Sequence, residues 1–353
     1  MTSATALQIE SVTGDALKNK DFLDSWKQFT AASDGFCSDP GWLQATSRGL
    51  KHEPYVLFAR RGERWVGVLP LSLIRSILFG RFLVSLPYVN TAGVVALDDE
   101  AGAGLIDRAI DLADALDVRY LELRHEKPVV HPRLNRQRTD KVHMRLPLPD
   151  TADALWKALS PKVRNQIRKG QKQDFEIRWG GQDALNDFYA VFCRNMRDLG
   201  TPVFSRALFL AILEAYPGGA EFCTLTAAGK PAAGSLLIHA PGMTQVPSAS
   251  ALREFNSQNV NMLMYWQLLC RSIERGQKKF DFGRSSQESN TFRFKKQWGA
   301  EGEPAVWQYY VRKGDISEMR PESKKYRFLI KTWQRLPVPL TRWIGPPIVR
   351  GIP

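Results

Sequence analysis

The chain is poor in the residues that hold metals and disulfides. Its 353 residues include five histidines and four cysteines. His52, His125, His131, His143 and His239 show no metal-ligand spacing, and none lies beside a Ser or Cys in a recognised nucleophile motif. Cys37, Cys193, Cys223 and Cys270 are widely separated with no CxxC pair, which argues against a zinc site and a disulfide scaffold. They read as buried free thiols in a reducing compartment. Neither a P-loop nor a GxGxxG turn occurs, so the common nucleotide cradles are missing. No stretch reaches the roughly 18 apolar residues that span a bilayer, and the N-terminus lacks the basic start and apolar core of a signal peptide. The expected location is the cytoplasm, with peripheral contact at the inner membrane face left open.

Acid is scarce in two places. The formal net charge is +13, and from residue 319 onward eight Lys or Arg face a single Glu. The stretch 160–173 holds Lys162, Arg164, Arg168, Lys169 and Lys172 and no acid. Such a surface favours nucleic acid, anionic lipid or substrates carrying phosphate or carboxylate, without choosing among them. An apolar content of 44% with 24% charged residues is that of a globular protein. A chain of this length exceeds what one core usually organises, so two domains are expected.

The local pattern supports that division. Residues 21–29 and 39–50 read as helices, 55–60 and 64–73 as a hairpin, 82–86 and 93–96 as short strands, 101–116 as a helix and 120–123 as a strand. A second cycle has helices at 151–159, 161–173, 183–199 and 205–216, a strand at 175–179, and a hairpin at 221–227 and 232–239. It ends with strands at 243–251, 279–281 and 304–311 and a helix at 261–275. The Pro-rich join Leu146-Pro147-Leu148-Pro149 marks the boundary. The expectation is a mixed α/β protein with domains at 1–145 and 146–318 and a basic tail at 319–353.

One segment stands out chemically. Phe280-Asp281-Phe282-Gly283-Arg284-Ser285 reads as a strand that ends in glycine and arginine, and Thr291-Phe292-Arg293-Phe294-Lys295-Lys296-Gln297-Trp298-Gly299 follows. Polar residues at strand ends line clefts in α/β sheets, and fixed cations there suit an anionic substrate or an oxyanion. On spacing alone the segment is equally a surface loop. Asp281 is a candidate base or a structural partner of Arg284. Arg164 and Arg168, and Asn165 and Lys169, lie four apart on a helix that opens at Pro161. This is phosphate-clamp geometry, and also that of any solvated helix face.

The motif Asp281-Phe282-Gly283-Arg284-Ser285 followed by Phe294-Lys295-Lys296-Gln297-Trp298-Gly299 resembles the C-terminal signature of FemAB-like proteins, in particular the exosortase (PEP-CTERM) and exopolysaccharide-associated branch. Ser160-Pro161-Lys162-Val163-Arg164-Asn165-Gln166-Ile167-Arg168-Lys169, Asn261-Met262-Leu263-Met264-Tyr265-Trp266, Gly67-Val68-Leu69-Pro70-Leu71, Ser85-Leu86-Pro87-Tyr88 and Arg335-Leu336-Pro337-Val338-Pro339-Leu340 match in order, so the resemblance covers most of the chain. It implies two tandem GNAT-like domains with a cleft near their junction. It implies transfer of an acyl or aminoacyl group to an amine or hydroxyl on an envelope precursor such as an exopolysaccharide or peptidoglycan unit. Lys295 takes the position tied to catalysis, with Lys296 its neighbour. Arg284, Arg164, Asn165, Lys169, Tyr88 and Asn90 are the implied substrate contacts.

The implied donor is acyl-CoA or aminoacyl-tRNA, with no tightly bound cofactor and no metal. Arg253 and Asn259 are the donor candidates, but the 252–261 connection lacks the glycines of a CoA turn, which lowers CoA binding in that half and leaves another acyl donor open. Ser289-Asn290-Thr291 stands where the branch has a Gly-Thr-Gly-type turn. Implied partners are an anionic small molecule or lipid-linked glycan, and tRNA. The basic tail with Trp333 and Trp343 suits an anionic membrane surface, but Phe328, Leu329 and Trp333 fall at helical spacing, which favours packing on the body of the protein. The readings that compete are a non-catalytic scaffold of exopolysaccharide assembly and a charge-driven nucleic-acid binder.

Overall fold

The structure, a computed structural model, describes residues 6–32, 39–316 and 324–353. The chain opens with β1 (Leu7–Thr13), α1 (Lys20–Thr30) and α2 (Gly41–Leu50), then β2 (Glu53–Arg61), β3 (Arg64–Ser76), β4 (Gly80–Val84), β5 (Val95–Ala96), α3 (Asp99–Ala115) and β6 (Tyr120–His125). β7 (Arg136–Pro147) leads into α4 (Ala152–Ala158), α5 (Pro161–Gln171), β8 (Phe175–Gly180), α6 (Leu185–Leu199) and α7 (Arg206–Ala215). β9 (Ala220–Ala227), β10 (Lys230–Ala240), β11 (Met243–Ala251), α8 (Val260–Glu274), β12 (Lys279–Ser286), α9 (Asn290–Lys296) and β13 (Glu301–Val311) follow, and α10 (Lys324–Trp333) and α11 (Val338–Val349) end it.

Capping explains several boundaries. Asn19, Asp98, Thr151, Ser160 and Ser205 each accept a backbone N–H at the start of a helix. The β9–β10 hairpin turns on Ala228 and Gly229, both at positive φ, as a two-residue turn between twisted strands requires.

Among the described residues, thirteen strands form one sheet in the order β1-β2-β3-β4-β6-β13-β7-β12-β11-β10-β9-β8, with β5 paired to β3. The order has an internal symmetry. Five strands of the first half end at β6, five of the second end at β12, and the antiparallel pair β13·β7 fills the middle. Each half has one parallel pairing, β4 with β6 and β11 with β12, and all others are antiparallel. Residue 145 falls inside β7, and β13 from late in the chain pairs with β6, so the sheet runs unbroken through the join. The core is likewise shared, since α2 and α7 pack together and one apolar cluster joins Trp42, Leu43, Val56 and Leu86 to Phe188, Phe209 and Phe222.

The mixed α/β class matches the sequence expectation, while four elements differ from it. β1 and β7 are strands where the sequence pattern gives no element. The Ser289-Asn290-Thr291 segment is not a loop: Ser289 caps α9 by accepting the Phe292 amide. The Pro-rich tail forms α11, with Pro337 before its first turn and Pro346 and Pro347 inside it. Cys193 and Cys223 are buried free thiols and Cys270 is half-buried, while Cys37 lies outside the described residues.

Candidate active site

A parallel pair that parts leaves a crevice at the carboxyl ends of its strands. β11 and β12 pair from Met243↔Lys279 to Gln245↔Asp281 and then separate. A cavity of about 210 Å³ occupies the gap, walled by Gln245, Val246 and Pro247, by Asp281, Phe282, Gly283 and Arg284, by Lys295 of α9, and by Tyr88, Val89 and Asn90 from the first half.

A bulge in β12 shapes this wall. Asp281 faces Arg145 and Arg284 faces His143, so β12 spends one residue more than β7 between them. Strict alternation would put residues 281 and 284 on opposite faces; the bulge puts both on one. Gly283 makes this possible at φ +79, and Asp281 fixes it by accepting the Gly283 amide at 2.6 Å. The register carries the same face across the centre of the sheet, through Asp281, Arg145, Glu303, Trp307 and Arg124. Val142, Met144 and Leu146 turn the other way into the core. A polar stripe therefore crosses the junction of the halves.

Within the stripe, charges divide into satisfied and unsatisfied. Arg124 pairs with Glu122 at 2.6 Å, both nearly fully buried, and also donates to Val89 O at 2.7 Å. Arg145 lies 3.7 Å from Asp281 and bridges Glu303 and Glu126. Asp281 is thus held by Arg145, by Gln245 at 3.3 Å and by the Gly283 amide. Its partner is Arg145 and not Arg284, which corrects the sequence expectation and leaves it poorly placed as a base.

Arg284 is different. Its only hydrogen bond among the described residues runs from Nε to Asn90 Oδ1 at 3.3 Å. Its guanidinium carbon sits 3.3 Å from the Trp307 ring centre, and that of Arg124 sits 4.0 Å from it. Both guanidinium groups therefore lie in cation–π contact with Trp307. Burial, reinforced by the Arg124 charge, pulls Arg284 down to about 9. No carboxylate pairs with it among the described residues, and its remaining N–H groups are free for a ligand.

Lys295 is 8% exposed. Its Nζ donates to Gly283 O at 3.1 Å and to Arg284 O at 3.0 Å. An ammonium has three donors, so one remains. Burial pulls the group down to about 8; Asp281 opposes this and Arg284 adds to it. His143 is fully buried with both ring nitrogens unpaired among the described residues, and burial together with Arg145 lowers its pKa, keeping it neutral.

The first-half wall is pinned in a strained form. Leu86 and Tyr88 take positive φ of 53° and 68°, which costs a residue with a Cβ about 1–2 kcal/mol. Trp42 Nε1 donates to Pro87 O at 2.8 Å and Trp307 Nε1 to Asn90 O at 3.0 Å. The Tyr88 hydroxyl meets His52 Nε2 at 3.0 Å and Val349 O at 3.3 Å.

Of the sequence candidates, Lys295, Arg284, Tyr88 and Asn90 meet in this cavity. Lys296 points away, exposed and 5.9 Å from the Phe292 ring. Arg164, Asn165 and Lys169 lie on α5, outside the lining, and Arg168 stacks on Trp156 there. Arg253 reaches Asp198 O at 3.5 Å. Asn259, before α8, stands at φ 57, adopting the left-handed turn for which the sequence offered no glycine. Arg124, Arg145, His143, Gln245 and Trp307 were not foreseen. Lys141-Val142-His143-Met144-Arg145-Leu146 does alternate polar and apolar residues, the signal of a half-buried strand.

Residues 159–296 match the acetyltransferase (GNAT) domain family. No curated protein sequence matches the chain. FemX has the same fold at 14% identity, with a TM-score of 0.62 over 88% of this chain and 99% of FemX. A tandem GNAT protein from the clavulanic acid biosynthesis pathway is similar at 13% identity, with a TM-score of 0.55 over 87% of this chain and all of its own. The C-terminal domain of an Agrobacterium fabrum protein named as a lysylphosphatidylglycerol synthetase aligns at 13% identity, with a TM-score of 0.53 over 82% of this chain and 91% of that one. At these identities the likeness establishes the fold, which is that of tandem GNAT proteins.

Proposed function

We propose that the chain is an acyl- or aminoacyl-transferase of the FemAB-like type, acting on an amine or hydroxyl of an anionic envelope precursor such as an exopolysaccharide or peptidoglycan unit. One observation carries this reading. Arg284 and Lys295, both largely buried, have no carboxylate partner among the described residues and line one cavity where parallel strands part. A buried cation without a counter-ion is expensive, and such groups belong where a negative charge arrives. The free Lys295 donor and the Arg284 guanidinium would hold an anionic substrate group and the oxyanion that forms as the nucleophile adds to the acyl carbonyl. Asp281, already engaged, holds the Gly283 bulge.

The donor reading favours acyl-CoA. The fifteen-residue helix α8 follows Asn259, which makes no side-chain cap, so its first amides suit a pyrophosphate. Aminoacyl-tRNA is the second donor class, and Arg164, Asn165 and Lys169 on α5 would meet its phosphates. In this reading the chain comprises GNAT-like units 1–145 and 146–318 with the basic tail 319–353, and it works at the inner membrane face. Among the described residues no helix is long and apolar enough to cross a membrane.

The test is transfer itself. Purified protein is given labelled acyl-CoA or aminoacyl-tRNA with nucleotide-linked and lipid-linked envelope precursors, and acceptor masses are read. A gain of one acyl or aminoacyl unit supports the proposal. If precursors bind but no donor of either class yields product, the transferase reading falls and the scaffold reading replaces it.

A further inference from the structure

A surface helix normally hides an apolar face and shows a polar one. α11 hides one and shows another. Thr341, Gly345 and Val349 form its buried side, where a Cβ on Gly345 would lie 2.9 Å from Val203 N. Arg342, at the edge of that side, lies over the Tyr189 ring at 5.1 Å. Leu340, Trp343 and Pro347, spaced three and four apart, point outward and are exposed. On α10, Phe328 and Leu329 are exposed as well. At the β3–β4 turn Ile77 and Leu78 are among the most exposed large apolar side chains of the protein. A Cβ on Gly351 would lie 2.5 Å from Ser76 Oγ, so this turn abuts the end of α11.

The charge that the tail itself carries is of one sign. After Glu322 the chain has seven Lys or Arg and no acid, and Lys331, Arg335, Arg342 and Arg350 are exposed. Beside them a cavity of about 220 Å³ is lined in part by Lys51 and Arg350, and by Arg75, which pairs with Glu53 at 2.6 Å. Apolar side chains with an interfacial Trp, ringed by cations, match the headgroup boundary of an anionic bilayer. A second copy of the chain fits badly, because each copy carries a net charge of +13 and would bring the same cations against its own kind.

We propose that α10, α11 and the β3–β4 turn form a docking surface for an anionic phospholipid bilayer. The surface is independent of the transfer chemistry but adjoins it, since Val349 of α11 accepts the hydroxyl of Tyr88, which lines the β11–β12 cavity. Docking there would set that cavity next to lipid-linked molecules.

Co-sedimentation of the full chain with phosphatidylcholine vesicles, with and without phosphatidylglycerol, tests this. The wild type should bind the phosphatidylglycerol vesicles, bind plain phosphatidylcholine poorly, and come off in high salt. Leu340→Ser with Trp343→Ser, and separately Ile77→Ser with Leu78→Ser, should each lower the partition coefficient about tenfold or more while circular dichroism is unchanged. Light scattering should show the same oligomeric state for all three proteins. No binding to phosphatidylglycerol vesicles, undiminished binding by both double variants, or a wild-type oligomer that the variants abolish would each overturn the proposal. Transfer to a water-soluble precursor should be equal in wild type and both variants, so failure here is separable from failure of the transferase reading.

Discussion

Lys295→Met separates a catalytic lysine from a structural one. Burial pulls the ammonium from the ordinary lysine value of 10.5 to about 8. At 1.36 kcal/mol per pH unit, keeping it charged in the native state costs about 3 kcal/mol. The cost is fully present below pH 8. It is lifted as the pH rises from 8 to 10.5, where the native chain has released the proton and the unfolded chain still holds it. Methionine fills similar space without charge and removes this cost, but leaves Gly283 O and Arg284 O without their donor, at about 1 kcal/mol each. At pH 7 the variant should therefore be as stable as the wild type, or more stable by about 1 kcal/mol. Its turnover should fall by about 100- to 1000-fold if the free donor serves an oxyanion. Urea unfolding at pH 7 and pH 10, with turnover on an accepted donor–acceptor pair, reads both quantities. Unchanged turnover would end the catalytic assignment. A stability loss of several kcal/mol would mean that the lysine chiefly holds the bulge.

Affinity for an anionic ligand should weaken above pH 8 as Lys295 loses its proton and further above 9 as Arg284 does; calorimetric titration from pH 7 to 10 checks the direction. Gly283→Ala puts a Cβ at φ +79 and 3.2 Å from Asn90 Nδ2, so it should cost about 1–2 kcal/mol in denaturant unfolding and displace Arg284, with loss of ligand binding. Arg124→Ala leaves Glu122 buried without its cation and should cost about 3–5 kcal/mol, visible as a large drop in Tm.

Local pattern reports what local physics decides. The hairpins at Gly62 and at Ala228-Gly229, the capped starts at Ser160 and Ser205, and the helix of α3 follow from turn chemistry, caps and period. β7 escapes such a reading because its alternation adjoins prolines 147 and 149, which read as a linker. Only pairing with both β12 and β13 shows that it joins the halves. The face shared by Asp281 and Arg284 depends on a bulge, and a bulge is set by its partner strand. The stacking of Arg124 and Arg284 on Trp307 joins positions more than 150 residues apart, which no spacing rule reaches. Lys295 and Arg284 were visible as types near a strand end; that Asp281 belongs to Arg145, freeing Arg284, was not.

In the proposed function Arg284 and Lys295 make the junction cavity an anionic-substrate site. Thermal unfolding of wild type and Arg284→Gln with a panel of CoA esters and nucleotide-linked envelope precursors tests it most directly, because a ligand that binds the native state raises Tm by mass action. At least one compound should stabilise the wild type by several degrees and leave Arg284→Gln nearly unmoved. Equal shifts in both proteins, or no shift of the wild type with any compound of either class, would contradict it.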